Sequence, residues 1–107
     1  MKGNRKDCII ITDAFGRKVR ITKERLNHIF VTHPEMKKVE NKIPDVLGDP
    51  EYLKKSKYND EVVLYYKYLP SIKKYITVVV KIQRHSFVLT SYMTDRIKKG
   101  DTLWRKK

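Results

Sequence analysis

The chain predicts an α+β fold: two N-terminal helices packed on one face of an antiparallel β-sheet meander. Three observations carry this prediction. Residues 61–94 hold three runs rich in Val, Ile, Tyr, Thr and Phe, at Val62–Leu69, Tyr75–Ile82 and Phe87–Met93. The breaks between them, LPSIKK and QRHS, are too short for a crossover helix, so neighbouring strands read as antiparallel. Upstream, Leu26, Ile29, Phe30 and His33 recur at helical spacing and define one face of a helix.

Side chains alternate between the two faces of a sheet. Ile76, Val78, Val80 and Ile82 take one face of the second run, and Tyr75, Thr77, Val79 and Lys81 the other. The third run sets Phe87, Leu89, Ser91 and Met93 against Val88, Thr90 and Tyr92. One face is apolar and calls for a cover. The other is expected to collect Lys67, Thr77, Lys81, Thr90 and Tyr92, with Lys67 and Lys81 meeting across the first hairpin. Val78, Val80, Phe87 and Leu89 are then expected beneath the helix, with Lys81 and Thr90 pointing away from it.

Cys8–Thr12 and Lys18–Thr22 read as a hairpin around Asp13-Ala14-Phe15-Gly16. Thr22 suits the N-cap of a helix over Lys23–Thr32, which Pro34 stops. Glu35–Val39 suggests a further helical piece, and Asn41 a cap for a short helix Lys42–Leu47 that Gly48 and Asp49-Pro50 end. Residues 51–60 read as a loop with a basic cluster. After the sheet, Asp95–Gly100 turns away and Leu103-Trp104 packs back. Residues 1–6 and 105–107 read as flexible basic tails of a single 107-residue domain.

Composition narrows the function. The formal net charge is +13, and it is unevenly spread. Residues 35–61 hold six Lys against seven acids, whereas 62–94 hold Lys67, Lys73, Lys74, Lys81 and Arg84 and no acid. A basic sheet flanked by basic ends points to a polyanion, nucleic acid above all. No apolar run spans a membrane, and the N-terminus lacks a secretory pattern, so the expected compartment is the cytoplasm and no membrane partner is expected. The single cysteine, Cys8, excludes an internal disulfide and reads as a buried structural thiol.

No phosphate-loop, dinucleotide, serine-triad or zinc pattern is present. His28, His33 and His85 are scattered and no acidic cluster joins them, so neither a metal nor any other cofactor is expected. What the sequence does offer is a set suited to RNA cleavage without metal. That reaction needs a base for the 2′-OH proton, an acid for the 5′-oxygen and cations for charge growing on phosphorus. His33, with His28 beside it in sequence, suits proton transfer. Lys67 and Lys81 suit the phosphate, Thr90 a hydrogen bond to it, and Tyr92 stacking on a base. Lys54, Lys55, Lys57, Lys73, Lys74 and Arg84 suit the nucleic-acid backbone. The alternative is a non-catalytic nucleic-acid-binding module on the same sheet.

ITKERLNHIFVTHPEM, a short helix ending in GDP, and then VVLYYKY, YITVVVK and FVLTSYMTDRIKKGDTLW together resemble the phage-associated barnase–EndoU–colicin–RelE-like nucleases. The resemblance covers roughly residues 19–104. Its landmarks are His28, His33, Pro34 and Glu35, then Tyr65, Tyr66 and Lys67, then Lys81, and finally Thr90 with Tyr92. It implies two helices before an antiparallel sheet, metal-independent endoribonuclease activity, and deployment in a toxin or conflict system of a phage or mobile element. The partners then expected are RNA, such as tRNA or mRNA, and an antitoxin or immunity protein.

Overall fold

The computed structural model describes residues 8–107. Seven strands form one sheet: β1 Cys8–Thr12, β2 Lys18–Thr22, β3 Tyr52–Lys55, β4 Val62–Leu69, β5 Lys74–Lys81, β6 Ser86–Thr94 and β7 Thr102–Arg105. Their order across the sheet is β1-β2-β6-β5-β4-β3-β7. Between β2 and β3 come α1 (Lys23–Thr32), a 3₁₀ segment (Pro34–Lys42) and α2 (Ile43–Gly48). The fold is α+β, as the sequence predicts.

The sheet is mixed rather than purely antiparallel. β4, β5 and β6 form the expected meander, but β2 joins β6 in parallel through Val19↔Ser86 and Arg20↔Phe87. The hairpin β1–β2 thus extends the sheet at one end. At the other end residues 52–55, expected in a loop, pair with β4 on one side and β7 on the other. A four-residue YLKK run carries too little pattern to announce a strand; two partners supply what its own sequence lacks. Arg105 belongs to β7, and the Lys106 amide donates to the Glu51 carbonyl at 2.8 Å, so this end is tied down rather than a free tail. The basic tail expected over 1–6 lies outside the described residues.

Local chemistry explains the first half. Gly16 adopts φ +85°, which the turn between β1 and β2 requires. Asp13 Oδ1 accepts from the Phe15 and Arg17 amides and closes that turn. Thr22 caps α1, its hydroxyl accepting from the Arg25 amide at 3.0 Å. The α1 chain breaks at His33 (φ −132°, ψ 75°), as the following proline dictates. Asn41 is not the cap of α2: the 3₁₀ segment runs directly into Ile43, with Lys42 at the N-cap and no side-chain cap bond.

The main core lies between the helices and one sheet face. It joins Ile29, Met36, Ile43, Val46 and Leu47 to Val63, Tyr65, Ile76, Val78, Val80 and Val88. Val78 and Val80 are buried there as expected, but Phe87 and Leu89 are not their partners. The register shifts between Val79↔Thr90 and Val80↔Val88, leaving Leu89 as an extra residue in β6. Val88 therefore joins Ser91 on the helix side, and Phe87 and Leu89 move to the opposite face. A bulge breaks the period of two on which the sequence reading relied.

Candidate nucleic-acid interface on the open sheet face

The face turned away from the helices has ordered rows. Thr90, Val79, Leu64 and Lys54 are successive cross-strand neighbours, and so are Tyr92, Thr77, Tyr66 and Tyr52. Lys81 sits one step along, opposite Val62. This face is not simply polar. Val62, Leu64 and Tyr66 form a second buried cluster with Tyr52, Tyr75, Val79, Leu89 and Ile97 around them. Its cover comes from the chain between β6 and β7, which must pass over β5, β4 and β3 to reach the far edge. Ile97 packs on the cluster, and the Lys98 amide donates to the Tyr66 hydroxyl at 3.2 Å. The Lys55 amide donates to the Asp101 carbonyl at 2.9 Å, fastening the far end of the strap.

Between this strap and the loop after β3 lies a groove of about 550 Å³. Val62, Leu64 and Val79 give it an apolar floor, and Thr90 and Tyr92 stand at one side. Five lysines line it: Lys54, Lys55, Lys57, Lys98 and Lys99. Lys54 donates to the Thr102 hydroxyl at 2.7 Å, Lys55 pairs with the largely exposed Asp60 at 3.2 Å, and the Lys98 ammonium lies 5.9 Å from the Tyr92 ring centre. Lysines so close together gain from an anion placed among them.

The structure brings together part of the predicted set. Thr90 and Tyr92 line the groove with Lys54, Lys55 and Lys57. His33, at the end of α1, is not part of that lining but lies against Tyr92, its ring 5.5 Å from the tyrosine ring. Its backbone is pinned on both sides, the amide donating to Ile29 and the carbonyl accepting from Met36. The Glu35 carboxylate lies 3.7 Å from His33 Nδ1. Burial pushes the Tyr92 phenol above its usual range, so it stays protonated at neutral pH, and its hydroxyl has no hydrogen-bond partner among the described residues. Thr77 Oγ1, its cross-strand neighbour, is buried and unpartnered as well.

The two strand lysines do not meet. Lys67 is opposite Ile76, and its alternation with Tyr66 puts it on the helix side, where its ammonium binds the Asp49 carboxylate at 3.0 Å. Lys81 is on the open face, five residues along β5 from Ile76, or about 17 Å at the usual strand rise. It pairs with Glu61 at 3.1 Å, at the end of the sheet where Val62 lines the groove. The error was one of parity: an antiparallel hairpin places directly opposed residues on one face, and Lys67 opposes an inward-facing isoleucine. Hydrogen bonds from Lys106 and Lys67 hold the Asp49 carboxyl below its ordinary range.

The remaining candidates spread out. His28 is exposed on α1, five residues before His33. Lys73 takes φ +55° in the β4–β5 turn, and Lys74 pairs with Asp95 at 2.6 Å; both lie at the end of β5 remote from Lys81. Arg84 and His85 are exposed in the β5–β6 turn at the Lys81 end. Cys8 is half-buried rather than enclosed. Lys98 and Lys99 were missed because IKKG read as a turn leaving the sheet; the adjacent lysines were the only local signal. Among the described residues, no three His, Cys, Asp or Glu side chains converge as a metal site, and no helix is long and apolar enough to cross a membrane.

The chain matches no protein-family model, no curated protein and no solved structure.

Proposed function

We propose that the protein is a metal-independent ribonuclease that binds RNA in the lysine-lined groove of its open sheet face. The observation that carries this reading is a groove lined by five lysines whose Tyr92 wall is backed by His33, ring to ring at 5.5 Å. Lysines around an apolar floor hold phosphates while leaving a base an apolar seat. His33 is the proton-transfer group: as a neutral imidazole it accepts the 2′-OH proton while the 2′-oxygen attacks phosphorus. The P–O5′ bond breaks, the 5′-oxygen leaves with the proton that the His33 imidazolium gives back, and a 2′,3′-cyclic phosphate remains. Lys98 and Thr90 stabilise the charge that builds on the phosphoryl oxygens. The resemblance of the sequence to barnase–EndoU–colicin–RelE-like nucleases supports the same activity, with deployment in a phage or mobile-element conflict system and an antitoxin or immunity protein as its counterpart.

A second reading, RNA binding without cleavage, has its own support. Lys67 and Lys81, the strand lysines best suited to a phosphate, are engaged by Asp49 and Glu61 on opposite faces. Bulk RNA incubated with the protein in EDTA separates the two. Fragments ending in 2′,3′-cyclic phosphate are expected, and His33→Gln is expected to slow their formation at least a hundredfold, the scale of a lost acid–base group. RNA that stays intact yet binds with a steep salt dependence leaves the binder and overturns cleavage.

A further inference from the structure

We propose that the groove is a site for an unpaired nucleotide, so that the RNA it takes is single-stranded, with Tyr58 as the platform on which a base stacks; this rests on the nucleic-acid reading above. Two independent features of the groove point there. The first is its floor. Val62, Leu64 and Val79 form an apolar surface recessed behind lysines. A duplex buries its bases in its own stack and offers a protein its phosphates, sugars and groove edges. It would touch the lysines and leave the floor empty. An unpaired base brings a flat apolar face to the floor while its flanking phosphates reach the lysine rim.

The second feature is Tyr58. It lines the groove from the loop after β3 and is 94% exposed, the most exposed large hydrophobic side chain among the described residues. Its loop is nevertheless ordered by its own hydrogen bonds. The Tyr58 amide donates to Ser56 Oγ at 3.1 Å, the Glu61 amide to Asn59 Oδ1 at 2.9 Å and the Val62 amide to the Asn59 carbonyl at 3.0 Å. The ring is thus left in solvent on a loop that lines the groove together with Lys57. It contributes nothing to the core, and its loop has little ordering left to lose when a base stacks on it. Stacking tolerates any base, because every base has a π-face. The expected preference is therefore for strandedness rather than sequence.

The test measures affinity without cleavage, using fluorescein-labelled RNA carrying 2′-O-methyl groups throughout. One probe is an unstructured 12-nucleotide strand and the other a 12-base-pair duplex, compared at equal salt. The single strand is expected to bind at least tenfold tighter. Tyr58→Ala is expected to weaken single-strand binding about tenfold, within the range for one lost stacked base, and Tyr58→Phe to preserve it. Thermal unfolding of Tyr58→Ala should match the parent, since the ring is outside the core. A duplex that binds as tightly as the strand, or Tyr58→Ala binding the strand like the parent, overturns the inference and leaves RNA binding intact. If neither probe binds, the nucleic-acid reading falls, and the inference with it.

Discussion

The two faces of the sheet are built on the same strands and settle their polar groups in opposite ways. On the helix side, Asp13, the buried carboxylate among the described residues, is fully engaged. Asp13 accepts from two turn amides and from the Tyr65 hydroxyl, while Arg17 donates to that hydroxyl at 3.1 Å. A turn near the start of the chain is thereby locked to the middle of β4, and the Ala14 amide donates to Leu47 at the end of α2. On the open side, Thr77 Oγ1 and Tyr92 Oη are buried with no partner among the described residues, and lysines crowd a groove. A face with every buried polar group matched is a stability device. Unmatched groups beside concentrated charge set the open face apart, and it is this face that the proposal gives to RNA.

Removing the lock should produce the largest effect on stability. Asp13→Ala leaves the Tyr65 hydroxyl and Arg17 without their anion in a buried setting, and is expected to destabilise the fold by about 3–4 kcal/mol. Urea unfolding measures it. A loss under 1 kcal/mol would erase the distinction between the faces.

Charge removal on the open face should show the converse. The triple change Lys54→Gln, Lys57→Gln and Lys98→Gln is expected to leave unfolding within about 1.5 kcal/mol of the parent, since surface substitutions rarely cost more than ~0.5 kcal/mol each. RNA affinity should suffer instead. Three lost phosphate contacts on a single strand lower the salt slope by about 2, which at 0.1 M salt is about a hundredfold. Binding across a salt series measures both numbers at once.

The smallest effect is one of pH. Burial, reinforced by the Asp13 carboxylate, pushes the Tyr65 phenol well above its ordinary value of 10.0. Since the folded state holds this proton more tightly than the unfolded chain does, Tyr65 contributes stability that is complete below pH 10 and declines as pH rises beyond it. Tyr65→Phe should flatten the alkaline limb of a stability–pH curve. Tyr92→Phe should flatten it less and leave neutral-pH stability unchanged or slightly higher, because it deletes a hydroxyl that is buried without a partner among the described residues. An equal flattening by both would show that the faces bind their protons alike.

Much of this architecture was legible in the sequence because it is local. Strand propensity, turn residues and the Thr22 cap gave the hairpin, α1 and the three central strands within a residue or so of their ends. Parity across a hairpin was not legible without the register, so Lys67 was assigned to the wrong face. The bulge at Leu89 shifts half of β6 by one residue, and no residue in SFVLTSYMT marks the spot. The Asp13–Tyr65 bond joins positions 52 residues apart, and pairing at that separation leaves no trace in local pattern. The site divided along the same line. His33, Thr90 and Tyr92 were visible as residue types suited to the chemistry, whereas Lys98 and Lys99 reach the groove only because the strap crosses the sheet.

The most direct measurement is an amide chemical-shift map of the ¹⁵N-labelled protein titrated with the 2′-O-methylated 12-mer. The account predicts shifts concentrated at residues 54–58, 90–92 and 98–99, extending to His33, with residues 13–17 and α2 unmoved. Shifts that gather on α2 and the Asp13 turn, with the groove silent, would contradict it.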